Sequence, residues 1–223
     1  MKLGLIGGVS PYACSGIYNK LCSAYKLTHN KFPEIVIYSV PCKEEDEQFF
    51  LQQGGQDSSE KVERGTIFDS IEKACVFFKE NDFDAVGLCC NTLSPQFSVI
   101  ADRFRFKAVI SPTSATLDLI GENASEWWVL GSRYTCTNKL YGRDVSYLSD
   151  SDQAIIDNIL MQKVCRTEIV QNVKEKLRHI IAANNMKNIV LGCTDLTVDD
   201  FEDRRINFAD SSMCFVSKCL EVL

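Results

Sequence analysis

The sequence predicts an α/β protein built on mainly parallel sheet, and three features carry that prediction. Short continuous apolar runs recur along the chain, each closed by small or hydroxylated residues. Continuous apolar runs bounded by turn chemistry mark strands covered on both faces, as in parallel sheets. Between them lie stretches whose apolar residues recur at helical spacing, and strands alternating with helices define the α/β class.

The first strand is LGLIGGVS (residues 3–10), followed by a weaker one at EIVIYSV (34–40). Next comes CKEEDEQFFLQQGGQDS (42–58), the most polar and irregular stretch, which reads as a surface loop with a short helix or as a lid over a site. Residues 59–80 place Val62, Ile67, Ile71, Ala74, Cys75 and Phe78 on one helical face, with Ser58 or Ser59 positioned as N-cap. AVGLCCNT (85–92) and KAVIS (107–111) are the next strands, then WWVLGSRYT (127–135). Helices are expected over 151–160 and 166–183, the second ending near the turn-prone Asn184 and Asn185. NIVLGCTD (188–195) and INFAD (206–210) are the last strands.

Composition narrows the function. A formal charge of −6 offers no general attraction for nucleic acid or an anionic membrane, and either partner would need a local basic patch. The tightest basic clusters, Arg103–Arg105–Lys107 and Arg204–Arg205, read as solvated surface. No segment has the roughly 18 apolar residues of a membrane span, and the first apolar run is too short for a signal-peptide core. The expected compartment is the cytoplasm. Eleven cysteines are scattered, with no pair of CxxC motifs, so zinc is not expected and most thiols should be small core hydrophobes. Cys14, Cys22, Cys75, Cys165 and Cys219 fit that reading by their helical spacing.

Two cysteines differ in setting. The four strong strand ends form two pairs: GLIGGVS and GLCCNT in the first half, VLGSRYT and VLGCTD in the second. Each half thus has one Gly/Ser loop and one Cys-Thr loop, and ligands of α/β sheets bind outside the carboxyl ends of strands. Two such halves facing each other would surround a cleft. Cys89 should point to the far side of its strand, leaving Cys90 and Cys193 as the matched pair. A thiol followed by a helix N-terminus meets exposed N–H groups and a favourable dipole, which lower its pKa from about 8.5. The same groups, with Asn91, Thr92 and Thr194, are suited to a substrate carboxylate. One thiolate and one thiol on opposite faces of a carbon are the equipment for moving an α-proton from one face to the other. His29 and His179 stand in no triad-like setting.

At these residues the sequence resembles the aspartate/glutamate racemase family, and specifically its aspartate racemase branch. The matching motifs are GLIGGVS, CNT at residues 90–92, LGSRYT at 130–135, LGCTD at 191–195, and FAD before a last helix. The resemblance implies two pseudo-symmetric α/β domains with the active site in the cleft between them, residues 1–105 plus 206–223 forming one and 106–205 the other. It implies racemisation of aspartate or glutamate by Cys90 and Cys193 without pyridoxal phosphate or metal. It also implies that Ser10, Asn91, Thr92, Thr135 and Thr194 line the pocket, and that the protein is a homodimer. Departures from the family pattern are Ser94 after CNTL, Asp195 in place of Glu, PYACSGIY after the opening, and ISPTSA at 110–115. Lys43, Arg133 and Arg143 are the candidate partners for a side-chain carboxylate. The competing readings are a decarboxylase or isomerase on the same scaffold and a catalytically silent amino-acid binder. The opening GLIGG does not fit the GxGxxG pattern of dinucleotide binding.

Overall fold

In the computed structural model, the described residues are 2–43, 45, 67–165, 173–201 and 205–223. The segment expected as loop or lid lies outside them beyond Lys43, apart from Glu45, as do the first turns of the helix expected from residue 59 and its proposed N-cap.

The apolar runs form two separate four-stranded sheets, parallel throughout. The first contains β1 (Leu3–Ile6), β2 (Ile35–Tyr38), β3 (Ala85–Leu88) and β4 (Ala108–Ile110), in the order β2-β1-β3-β4. The second contains β5 (Trp127–Gly131), β6 (Ser146–Tyr147), β7 (Asn188–Gly192) and β8 (Asn207–Asp210), in the order β6-β5-β7-β8. The two orders are the same, so the halves repeat in topology as their strand ends repeat in chemistry. Sheet membership moves both expected domain boundaries. β4 pairs with β3 and belongs to the first half, whereas β8 pairs with β7 and belongs to the second. Only the helix after β8 returns to the first half.

Around the sheets lie α1 (Pro11–His29), α2 (Ile67–Glu80), α3 (Ser94–Asp102), α4 (Pro112–Ile120), α5 (Arg133–Thr137), α6 (Asp150–Cys165), α7 (Val173–Ala183) and α8 (Ser211–Val222). Four of the starts share one feature. Ser10, Ser111, Ser132 and Asp210, each at or just beyond the carboxyl end of a strand, accept backbone N–H groups as N-caps of α1, α4, α5 and α8. Pro11 and Pro112 occupy first-turn positions, where the missing N–H has no partner to lose. Helix α2 buries Ile67, Ile71, Ala74, Cys75 and Phe78, the expected face. Helix α6 runs to Cys165, beyond the expected end at 160.

Each sheet is packed on both faces, which explains the unbroken apolar runs. Ile6, Val86, Leu88 and Cys90 face α2 and α3, while Leu3, Leu5, Ala85 and Cys89 face α1 and α8. Cys89 and Cys90 therefore enter different cores, as the two-residue strand period requires. Cys14, Cys75 and Cys219 are buried and Cys22 is half-buried. The ten cysteines whose side chains are described carry thiols outside any disulfide. No helix among the described residues is long and apolar enough to cross a membrane.

Candidate active site

Cys90 follows β3 and Cys193 follows β7, strands that hold the same place in their sheets. Both thiols are buried, and each half reaches across to the other around them. The Ser10 hydroxyl donates to Asp195 Oδ1 at 2.8 Å while capping α1 through the Ala13 N–H. Thr194 Oγ1 donates to the Cys89 carbonyl at 3.4 Å. Thr92 Oγ1 is hydrogen-bonded to Ser132 Oγ at 3.0 Å, and Ser132 Oγ to Thr135 Oγ1 at 3.0 Å. Thus Ser10, Thr92, Thr135 and Thr194 are brought to the junction where the two thiol loops meet. Their hydroxyls are already bonded: Ser10 to Asp195, Thr92 and Thr135 to Ser132, and Thr194 to the Cys89 carbonyl.

Gly8 shows how closely the first loop lies on Cys90. A Cβ built on Gly8 would stand 2.2 Å from Cys90 Cβ and 2.9 Å from its sulfur. Gly8 of the opening motif therefore makes room for a thiol, which accounts for it without a dinucleotide.

Asn91 has a different position from the one expected of a substrate ligand. Its Oδ1 accepts from the Tyr141 hydroxyl and, at 3.2 Å, from Thr113 Oγ1, and its Nδ2 donates to Ser211 Oγ at 2.9 Å. With Asn91 only 1% exposed, this amide ties β3's loop to α4, α8 and the second half. Arg133 is likewise engaged: its guanidinium holds Asp157 at 2.7 and 2.8 Å and Asp150 at 3.2 Å. Such a fork is not free for a ligand carboxylate. Lys43 and Arg143 are exposed.

The electrostatics overturn one expectation. Cys193 is followed by a turn and a short 3₁₀ segment at Val198–Asp200, so no α-helix dipole points at it. Cys90 does precede α3, and the backbone N–H groups of Val9, Leu93 and Thr92 pull its pKa down. Burial nevertheless pushes the Cys90 thiol up, and the nearby Asp195 carboxylate adds to this. Cys193 is raised further, by burial first, then by Asp195 and by Cys90, against the Asp195 N–H and the Lys163 ammonium. Desolvation of the thiolate outweighs the local dipoles at both positions.

Asp195, Lys163, Ser132 and Tyr141 are the residues whose part local pattern did not reveal. Lys163 Nζ donates to the Asp195 carbonyl at 3.1 Å and to Asp200 Oδ2 at 2.7 Å, fixing the Cys193 loop and placing positive charge near that thiol. LGSRYT and LGCTD did contain Ser132 and Asp195, as cap-forming and acidic residues after a strand. Nothing in the sequence around Lys163 or Tyr141 marks either. Among the described residues no group of three or more His, Cys, Asp or Glu side chains is placed to hold a metal ion.

Compared by sequence, the chain matches no protein-family model and no curated protein. Compared by structure, it is similar to an aspartate racemase homologue from Pyrococcus horikoshii, with TM-score 0.71 and 18% identity over 99% of this chain and 98% of that one. Picrophilus torridus aspartate racemase gives TM-score 0.72 and 15% identity over 99% and 93%. Glutamate racemase from Francisella tularensis, solved with D-glutamate, gives 0.60 and 14% over 100% and 80%. The chain has the fold of the aspartate and glutamate racemases.

Proposed function

We propose that this chain is a cofactor-independent amino-acid racemase in which Cys90 and Cys193 exchange the α-proton, with aspartate or glutamate as substrate. One observation carries the reading. Two thiols at equivalent strand ends of two sheets with the same order come close enough for the Asp195 carboxylate to act on both and for Cys90 to act on Cys193. The named racemases of the same fold support the reaction class. In the proposed step a thiolate on one face takes the α-proton, leaving the electron pair on the α-carbon and adjoining carboxylate. The opposite thiol then returns a proton to the other face, becoming the thiolate for the reverse reaction. Backbone N–H groups and the threonine hydroxyls at the strand ends hold the α-carboxylate in this reading, and no pyridoxal phosphate or metal takes part. The active form is a homodimer in the cytoplasm.

The test is wash-in of solvent deuterium at the α-carbon of L- and D-aspartate and glutamate, followed by proton NMR. The wild-type protein should exchange at least one pair, and Cys90→Ala or Cys193→Ala should stop racemisation with the fold retained. No exchange across a panel of amino acids would refute the racemase reading, and racemisation by either variant would refute the two-thiol mechanism. A silent amino-acid binder is the second reading, favoured by the burial that pushes both thiols up. It predicts ligand-dependent thermal stabilisation without exchange.

A further inference from the structure

Tyr141 stands between the two thiol loops and touches the residue next to each thiol. It lies in the turn after α5, in the second half, and is the largest fully buried side chain among the described residues. Its hydroxyl donates to Asn91 Oδ1, one residue after Cys90. Its ring edge lies on Gly192, one residue before Cys193: a Cβ built on Gly192 would stand 3.1 Å from Tyr141 Cε2 and 3.0 Å from Val129 Cγ1. Gly192 ends β7 in register with Gly131, where its missing side chain lets the ring approach. The contact is made from behind. Tyr141 packs with Val129 and Val190, whereas Leu191 and Cys193 enter the opposite core, as strand alternation requires. Both ends are held. The Tyr147 hydroxyl accepts the Tyr141 N–H at 3.2 Å and donates to the Gly142 carbonyl at 3.0 Å. Asn91 is fixed by Thr113 at 3.2 Å and Ser211 at 2.9 Å, so it cannot turn away without leaving buried polar groups unpaired.

We infer that Tyr141 is a positioning residue that sets the separation between the Cys90 and Cys193 loops, a rigid strut with one end on each. The inference rests on the racemase reading of the two thiols. A two-base racemase needs both sulfurs within reach of one α-carbon, because the carbanion made by one thiolate must take its proton from the thiol opposite. The two loops belong to separate sheets, so strand pairing does not fix that distance. A phenol does: it is planar and stiff, and its two attachments lie at its ring edge and its hydroxyl. Thr194 Oγ1 also crosses, to the Cys89 carbonyl, but at 3.4 Å it is the weaker tie.

The test follows aspartate and glutamate in deuterium oxide and reads inversion against α-exchange with retained configuration, by chiral chromatography with mass spectrometry. The ratio of the two belongs to folded molecules alone, so a loss of stability leaves it unmoved. In wild type the opposite thiol delivers hydrogen and inversion dominates. Tyr141→Phe keeps the ring and loses the tie to Asn91. Its ratio of inversion to retention should fall roughly tenfold, the scale of a shift of about half an ångström where 1 Å costs about 100-fold. The carbanion then takes a deuteron on its original face, from the first thiol after that thiol has exchanged with solvent. Gly192→Ala presses a methyl on the other end of the strut and should lower the same ratio. Tyr147→Phe loosens the turn without touching either thiol loop and should keep the wild-type ratio. A wild-type ratio in Tyr141→Phe or in Gly192→Ala, or an equal fall in Tyr147→Phe, would overturn the strut and leave the racemase reading standing. A wild-type protein that neither inverts nor exchanges any amino acid would sink both.

Discussion

Gly8→Ala is the sharpest test of the thiol geometry because its magnitude follows from two distances. The added methyl would lie 2.2 Å from Cys90 Cβ and 2.9 Å from Cys90 Sγ. Carbon atoms in contact stand about 3.5–4.0 Å apart, so Cys90 or the Gly8 loop must move by more than about 1 Å. Overpacking of this kind costs about 1–3 kcal/mol. A reacting group displaced by about 1 Å loses roughly 100-fold in rate. Gly7→Ala is the control, since its methyl would come no nearer than 3.4 Å to the Ser39 and Val40 backbone. Urea unfolding and α-deuterium exchange with aspartate should be measured on both. Gly8→Ala should be destabilised by a small amount and lose most of its exchange, while Gly7→Ala stays close to wild type in both. Wild-type exchange in Gly8→Ala would show that the working enzyme does not hold Gly8 against Cys90, and the reasoning would fail.

Asp195→Asn removes the charge that raises both thiols, so the rise of exchange with pH should shift to lower pH; an unmoved profile would remove Asp195 from the electrostatics of the pair. Tyr141→Phe deprives Asn91 Oδ1 of a buried donor and should cost about 1–3 kcal/mol in urea unfolding; an unchanged midpoint would show that the network does not brace the halves. Burial raises Cys75 and Cys136 from 9.0 to about 12. A raised folded-state thiol pKa stabilises fully below the unfolded value and is lost as pH climbs toward the folded one, so each should forfeit on the order of 1 kcal/mol by about pH 10. Cys75→Ala/Cys136→Ala should flatten that alkaline decline, whatever its stability at neutral pH. An equally steep decline would mean that these thiols are not its source.

What could be read from sequence was set by the range of the interactions. The buried strands were legible because a strand covered on both faces is apolar at every position, as Leu3–Ile6 and Ala85–Leu88 are. β6 was not, since two half-buried residues, Ser146 and Tyr147, carry no period. The Cys90 and Cys193 loops were found because strand ends repeat locally. The partners of those loops were hidden by distance along the chain: Ser10 meets Asp195 across 185 residues and Asn91 meets Ser211 across 120. Hydroxyl residues at strand ends also have two uses that sequence does not separate. Ser10 and Ser132 cap helices and stand at the thiol junction at once. The expected low thiol pKa failed because a motif shows nearby N–H groups but not how completely water is excluded.

The return of α8 to the first half has a consequence for synthesis. Phe215 fills the space above Gly87 in β3, so close that a methyl on that glycine would come within 2.6 Å of the ring, and Val216 and Cys219 pack with Leu3, Leu5 and Cys14. β1 and β3 therefore leave the ribosome before the helix that completes the cover on one of their faces. Until α8 emerges, the nascent first sheet exposes Leu3, Leu5 and Ala85 to whatever surface is at hand, and chaperone demand should be concentrated in that interval.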